Sequence, residues 1–160
     1  MKNVPRSATA LKKILPPGET FFLVGGAFDL IHVGHLHLLE YAATLEDLLV
    51  VAVLSDAYVQ GYKNSSRPVI NQRQRADMVA AIRYVDFVYI ENMSPNSPRV
   101  LSLLKPDSLV FGEDLRNEAR LQQRIDQVKA SSPGTKIQIL PRHDEGKIST
   151  SSIIKKIRSG

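Results

Sequence analysis

The chain has 160 residues, enough for one domain with a real hydrophobic core, and its 43% apolar and 23% charged residues are typical of a soluble globular protein. It contains no cysteine, which excludes disulfides, thiolate metal sites and a cysteine nucleophile. The formal net charge of +5 favours an anionic ligand. Because no polybasic block or basic stretch with interleaved aromatics is present, we expect phosphorylated small molecules rather than nucleic acid.

The N-terminal segment, residues 1–19, lacks the long apolar core of a signal peptide. No apolar run approaches the roughly 20 residues that span a bilayer. We therefore expect a cytoplasmic protein with no membrane insertion. Residues 1–19 are interpreted as an extension with a short helix ending before Pro16 and Pro17, and residues 20–160 as the functional domain.

Five short apolar runs alternate with helical patterns along the chain. The runs are continuous and rich in β-branched residues, as expected of strands buried on both faces. They cover residues 20–26, 47–56, 86–90, 107–112 and 136–141. Helices are predicted at 35–45, 71–84, 97–104, 117–130 and from Ser149 or Thr150 onward. This alternation predicts an α/β fold: a single Rossmann-like, doubly wound domain with a five-stranded parallel sheet and helices on both faces.

Two of these segments carry more detailed expectations. In the helix at 71–84, Asn71 is the predicted N-cap, and apolar spacing directs Met78, Ala81, Ile82 and Val85 inward. Residues 57–66, after the second strand, are predicted to form a variable loop. That loop would contribute to a ligand pocket, because ligands of such sheets bind beyond the carboxyl ends of the strands.

The loop after the first strand, "GGAFDLIHVGH" at 25–35, holds the densest candidate chemistry. Gly25 and Gly26 would let a ligand approach the backbone, and the following helix would aim free N–H groups at an anion. His32 and His35 share a helix face three residues apart, with Gly34 removing bulk between them. Imidazole can donate a hydrogen bond to phosphoryl oxygen as charge develops there. A metal site is the alternative, but no third ligand is apparent.

This stretch resembles the signature of the cytidylyltransferase-like nucleotidyltransferases, H-x-G-H after a G-x-F-D turn. Three further segments resemble family motifs in the family order: "KNSSRPVINQRQRADMVAAIRYVDFVYI", "LVFGED" and "EGKISTSSIIKKI". Together they cover residues 21 to about 157. Among family members the chain is most similar to the adenylyltransferase domain of ADP-heptose synthesis and to glycerol-3-phosphate cytidylyltransferase.

The resemblance implies direct nucleotidyl transfer to a small phosphorylated sugar or polyol. A phosphate of that acceptor would attack the α-phosphorus of CTP or ATP in line, and pyrophosphate would leave. His32, His35 and Lys63 are the implied catalytic residues, with Lys63 placed in a loop beside Gly61. The implied nucleotide-binding residues are Gly25, Gly26, Ala27, Phe28, Gly34, Arg75, Gly112, Glu113, Asp114, Arg142, Ser149, Thr150 and Ser151.

The implied cofactor is Mg²⁺, delivered with the triphosphate, and no residue of the chain is expected to ligate a metal. Asp29 could help to place this ion, but a carboxylate after a tight turn more often caps the adjacent loop or helix, and we favour that structural role. The resemblance also implies a homodimer paired through residues 83–86. Two alternatives remain open: a non-catalytic nucleotide-binding module of the same fold, and an RNA-binding or aminoacylation-like protein.

Overall fold

The structure, a computed structural model, describes residues 4–112, 118–140 and 148–159. The strands are β1 (Phe21–Gly26), β2 (Leu48–Leu54), β3 (Phe87–Glu91), β4 (Ser108–Gly112) and β5 (Lys136–Leu140). The helices are α1 (Ala8–Lys12), α2 (Val33–Ala42), α3 (Asp56–Tyr62), α4 (Gln72–Ala80), α5 (Pro98–Leu104), α6 (Glu118–Ser131) and α7 (Thr150–Ser159).

The five strands form one sheet in the order β3-β2-β1-β4-β5, and every neighbouring pair is parallel. In the register, Phe21 lies opposite Leu48 and Phe22 lies opposite Ser108. The predicted α/β fold is therefore confirmed. Because the strand order reverses on either side of β1, the carboxyl end of β1 is where a doubly wound sheet binds ligands.

Two apolar clusters cover the two faces of the sheet. Successive residues of β1 alternate between them: Phe22 and Val24 join the cluster under α2 and α4, while Phe21 and Leu23 join the cluster under α1, α5 and α6. This alternation follows from the two-residue period of a strand. The N-terminal segment contributes to both clusters, since Val4 lies in the first and the fully buried Leu11 in the second, and Pro5 accepts a hydrogen bond from the Ile90 amide at 3.0 Å.

An aspartate directly precedes each of β2, β3 and β4 and fastens it to its neighbour. Asp47 accepts a hydrogen bond from the Thr20 amide at 3.1 Å, Asp86 from the Leu49 amide at 2.8 Å, and Asp107 from the Phe21 amide at 2.9 Å. Each carboxylate thus accepts a hydrogen bond from a backbone amide at the amino-terminal end of the strands, opposite the end that carries the candidate site. These contacts help to set the register of the parallel strands.

Two details of the sequence interpretation are wrong. Residues 57–66 are not all loop, because α3 occupies Asp56–Tyr62, capped by Ser55, whose Oγ accepts from the Tyr58 amide at 3.2 Å. In α4 the predicted cap Asn71 is confirmed, but Met78 is 45% exposed, and the residues buried in that helix are Arg75, Ala76 and Val79. Within the part of the chain that the structure describes, no helix is long and apolar enough to cross a membrane.

Candidate active site

Two histidines lie together at the start of α2, directly after the loop that follows β1. His32 has extended backbone geometry and is the N-cap residue of α2, and His35 lies three residues later in its first turn. Their ring centroids are 4.0 Å apart. The structure therefore brings the two predicted histidines to one point, beside the free backbone N–H groups of the helix start.

A hydrogen bond orients the His35 ring. The His32 backbone N–H donates to His35 Nδ1 at 3.3 Å, so Nδ1 acts as an acceptor and the proton of a neutral ring lies on Nε2. Burial lowers the pKa of His35 to about 4, and the charges of His32 and Lys63 contribute in the same direction. Burial also lowers the pKa of His32. His35 is therefore a neutral hydrogen-bond donor near pH 7.

The three glycines of this region accommodate protein groups. A Cβ on Gly25 would lie 2.7 Å from Cβ of the buried Pro95 and closer still to its Cγ. A Cβ on Gly26 would lie 3.0 Å from the Phe28 ring, and one on Gly34 would lie 3.1 Å from Nδ1 of His32. Protein groups therefore occupy the space beside each of these glycines, and the expected approach of a ligand to their backbone amides stays a prediction.

The loop itself adopts a costly conformation. Phe28 and Leu30 have φ angles of 51° and 49°, in the left-handed region that non-glycine residues avoid. Such residues each cost on the order of 1–3 kcal/mol and persist only where surrounding contacts hold them. Phe28 is buried and its ring lies 5.3 Å from that of His35, so the strained turn helps to place His35.

Asp29 anchors this loop to residues 67–70. Its carboxylate accepts hydrogen bonds from Arg67 Nε at 2.9 Å and from the amides of Val69 and Ile70 at 3.0 and 3.1 Å. Burial acts to raise the pKa of Asp29, but these hydrogen bonds and the Arg67 charge outweigh it, and the pKa is lowered. The capping role expected for Asp29 matches this arrangement, and its oxygens are already engaged by protein donors.

Arg75 lies elsewhere than expected. Its side chain is fully buried and donates to the carbonyl oxygens of Ile70 and Leu54 at 2.8 and 2.7 Å, to the carbonyl of Ala27, and to Asp56 Oδ1 at 2.7 Å. All three guanidinium nitrogens are thus bonded to protein oxygens. We correct the expectation of a triphosphate contact: Arg75 connects the loop after β1 to the end of β2 and the start of α3.

The start of α7 reaches the same loop. Ser149 Oγ accepts from the Ser152 amide at 3.0 Å and so caps the helix, while the Thr150 hydroxyl donates to the Asp29 carbonyl at 2.6 Å. Of the three hydroxyl residues, only Ser151 lines the cleft between residues 64–69 and α7. The hydroxyl groups of Ser149 and Thr150 therefore form hydrogen bonds with protein atoms. The phosphate contacts predicted for these two residues stay a prediction.

The structure describes some of the remaining predicted site residues and not others. Lys63 caps the C-terminus of α3, with its Nζ 5.9 Å from the Tyr62 ring centroid, and its charge acts on His35. Gly112 ends β4, one strand from β1 in the sheet. Glu113, Asp114 and Arg142 lie outside the described residues. Among the residues that are described, no group of three or more acidic, histidine or cysteine side chains forms a metal site.

From its place before Pro68, Arg67 is expected to shape the loop, and the structure gives it a specific partner there, the Asp29 carboxylate at 2.9 Å. Sequence reasoning missed the contact of Thr150 with the loop after β1. Thr150 gave no signal of this contact, since a threonine at a helix start is ordinarily a cap.

The chain has a doubly wound sheet with two paired histidines at the helix start after β1, as the resemblance to the nucleotidyltransferases implies. The model of the cytidylyltransferase-like family matches residues 23–156, and the chain belongs to that family. The predicted family is thus confirmed.

Two similar proteins illustrate the range of the family. The chain is 37% identical over 161 residues to the bifunctional protein HldE of Geotalea uraniireducens (strain Rf4), a match that covers 100% of the chain but 31% of HldE. It is 40% identical over 139 residues to the FAD synthase of Pyrococcus abyssi (strain GE5 / Orsay), covering 84% of the chain and 90% of that protein. The chain thus spans about a third of HldE and most of the FAD synthase.

Solved structures share the fold. The crystal structure of the lipopolysaccharide core biosynthesis protein from Thermoplasma volcanium GSS1 superposes with a TM-score of 0.58 and 27% identity, over 78% of this chain and 97% of that one. The pantoate-beta-alanine ligase from Francisella tularensis superposes with a TM-score of 0.59 over 98% of this chain and 79% of its own. At 16% identity, the second shows the fold alone.

Proposed function

We propose that the chain transfers a nucleoside monophosphate from ATP or CTP to a small phosphorylated sugar or polyol and releases pyrophosphate. The observation that carries the proposal is the histidine pair: two rings 4.0 Å apart at a helix start, one of them a neutral donor with its proton on Nε2. Donors fixed at such a point stabilise charge that develops on a phosphoryl group in the transition state.

The reaction needs no covalent enzyme intermediate. An oxygen of the acceptor phosphate forms a bond to the α-phosphorus while the bond to the bridging oxygen breaks, and pyrophosphate takes the electron pair. His35 would donate its Nε2 hydrogen bond to an α-phosphoryl oxygen, and His32 would hold the same group. Positioning and charge stabilisation then supply the rate.

Of the two donor nucleotides, ATP has the better support. One relative is named FAD synthase, and FAD contains an adenylyl group joined through a pyrophosphate linkage. The resemblance to the adenylyltransferase domain of ADP-heptose synthesis agrees with this choice. CTP stays in the proposal as the second donor.

Mg²⁺ enters this proposal as part of the nucleotide substrate. The carboxylate of Asp29, nearest along the chain to the histidines, is 1% exposed and bonded to protein donors, so it offers no ligand position. The metal would be held by phosphate and water, as Mg²⁺ commonly is in nucleotide sites. A homodimer through residues 83–86, which the resemblance implies, and a cytoplasmic location, expected from the sequence of residues 1–19 and the lack of a spanning apolar run, also belong to the proposal.

Pyrophosphate release tests the proposal. The protein is assayed with Mg²⁺, each of the four NTPs and a panel of sugar and polyol phosphates, beside a His35→Ala variant. Release with one donor–acceptor pair, absent in the variant, is the expected result. Tight NTP binding without turnover for any pair would instead favour the non-catalytic nucleotide-binding module.

A further inference from the structure

Helix α3 begins at the carboxyl end of β2, which pairs with β1 in the sheet. One buried guanidinium joins the start of this helix to the loop that leads to the two histidines. Arg75 donates to Asp56, the first residue of α3, and to the carbonyl oxygen of Ala27 in the loop after β1. The first turn of α3 therefore lies next to the candidate active site.

Two tyrosines form an aromatic pair on α3. Tyr58 and Tyr62 follow the i, i+4 spacing that places side chains on one face of a helix. Their ring centroids are 5.6 Å apart, and the ring planes are tilted by 56°. Tyr62 is 51% exposed despite this contact, so much of its ring is open to a ligand. Aromatic side chains commonly line small-molecule sites, and an open ring beside a candidate site is suited to that use.

Charged groups near the histidines also act on Tyr62. Partial burial raises the pKa of Tyr62, and the charge of the Asp29 carboxylate acts in the same direction. The charges of Asp29 and Lys63 also act on the pKa of His35, where burial is the larger influence. The Nζ atom of Lys63 lies 5.9 Å from the centroid of the Tyr62 ring. Tyr62 and His35 thus share two charged neighbours, which places Tyr62 within reach of a ligand bound at the histidines.

The aromatic pair lies on the side of β1 away from the predicted nucleotide contact at Gly112. In the strand order β3-β2-β1-β4-β5, α3 follows β2, whereas Gly112 ends β4 on the other side of β1. A nucleotide held at the end of β4 would leave the β2 side to the acceptor. With the α-phosphate at the histidines, the acceptor phosphate would lie near Lys63 and the rest of the acceptor near Tyr62.

We propose that Tyr62, supported by Tyr58, determines acceptor specificity by packing its exposed ring against the ring of a pyranose phosphate. The inference rests on the proposed function and narrows its acceptor from a sugar or polyol phosphate to a cyclic sugar phosphate. The C–H bonds on one face of a pyranose suit the electron-rich face of a tyrosine ring. A linear polyol would lose the freedom of several rotatable bonds in covering that face, whereas a pyranose ring is already rigid.

Binding measurements test the inference first. Mannose 1-phosphate, glucose 1-phosphate and glycerol 3-phosphate are titrated calorimetrically, with and without Mg²⁺ and non-hydrolysable ATP or CTP analogues. Tyr62→Ala should bind the two pyranose phosphates on the order of tenfold more weakly than wild type and glycerol 3-phosphate within about twofold of it. Tyr62→Phe keeps the ring and should bind like wild type. The matched control Tyr41→Ala removes a tyrosine that is 43% exposed near the end of α2, and it should change no affinity.

Three outcomes of these titrations would overturn the inference. The first is a wild-type protein that binds neither pyranose phosphate more tightly than glycerol 3-phosphate. The second is a Tyr62→Ala variant that binds the pyranose phosphates as wild type does, or that loses affinity equally for all three ligands. The third is an equal loss in Tyr62→Phe, which would assign the effect to the hydroxyl group rather than to the ring.

A spectroscopic measurement locates the contact. The chain has five tyrosines, so incorporation of 3-fluorotyrosine gives a ¹⁹F spectrum in which Tyr62→Phe identifies the Tyr62 signal. Mannose 1-phosphate should shift the signal of Tyr62 and leave that of Tyr41 in place. An unmoved Tyr62 signal at saturating ligand would refute the contact.

Turnover separates this inference from the proposed function. Pyrophosphate release with glycerol 3-phosphate or FMN, but with no pyranose phosphate, would overturn the inference and leave nucleotidyl transfer in place. A Tyr62 signal that pyranose phosphates shift, with no release for any donor–acceptor pair, would instead support the sugar contact while the proposed function fails.

Discussion

Replacing Arg75 by methionine tests whether this buried guanidinium holds the loop after β1 in place. Methionine keeps much of the side-chain length but removes every donor. The carbonyls of Ala27, Leu54 and Ile70 and the carboxylate of Asp56 would each lose a hydrogen bond. These acceptors belong to the loop after β1, the end of β2, the segment before α4 and the start of α3.

The magnitude follows from the burial of those acceptors. An unpaired buried polar group costs about 1–3 kcal/mol, and removing one partner of a buried ion pair costs about 3–5 kcal/mol. Because the Asp56 side chain is 32% exposed and can regain water, the low end of both ranges applies. Taken over the three carbonyls and the carboxylate, a loss of about 6 kcal/mol lowers the melting temperature by roughly 12–24 °C in a domain of this size.

Thermal unfolding followed by circular dichroism measures the effect, with Arg73→Met as the matched control. Arg73 lies on the same helix, is 50% exposed and pairs only with Asp77 at 3.5 Å among the described residues. Its loss should cost less than about 0.5 kcal/mol. If Arg75→Met melts as close to wild type as this control, Arg75 does not restrain the loop. Lost nucleotide binding with an unchanged melting temperature would instead support a direct triphosphate contact.

Three further predictions concern the same loop. His35→Ala should lower turnover on the order of a hundredfold, the usual effect of removing one transition-state donor, with a native melting curve; near-normal turnover would exclude the role. Gly25→Ala should destabilise the fold by forcing Pro95 away, and Pro95→Gly in the same chain should restore part of the loss, as measured by urea denaturation. Because the pKa of His35 is about 4 when folded and 6.5 otherwise, the unfolded chain takes up a proton first as the pH falls. Stability should therefore drop by up to about 3 kcal/mol between these pH values, and His35→Ala should flatten that slope in urea titrations.

The strands were predictable because their signal is local. Continuous apolar runs rich in β-branched residues predict the strands, and the structure shows that the aspartate before each of β2, β3 and β4 accepts a hydrogen bond from a backbone amide in or next to a neighbouring strand. The helix α3 was missed because Gly61 in its last turn and its length of seven residues weaken any periodic pattern.

The orientation of α4 was mispredicted for a different reason. Apolar periodicity turned Met78 inward, but the helix buries Arg75 instead, since four oxygens from separated segments converge on its guanidinium. No sequence window contains all these partners. A charged residue is favourable in the core only where such tertiary contacts pair it, and neither helix propensity nor apolar spacing predicts those contacts.

The position of the histidine site was predictable from the sequence, but the contacts that hold the histidines in place were not. The motif places His32 and His35 at a helix start, and the structure does so. The glycines of the same motif seemed to clear space for a ligand, yet Pro95 from a distant loop occupies the space beside Gly25. Glycine in a sequence shows that a side chain is excluded, and only the folded structure shows by what.

Three separate parts of the chain converge on the strained loop after β1. Residues 67–70 bond the Asp29 carboxylate, Arg75 bonds the Ala27 carbonyl, and Thr150 bonds the Asp29 carbonyl. The positive φ angles in this loop need external contacts to persist, so the histidine geometry depends on all three.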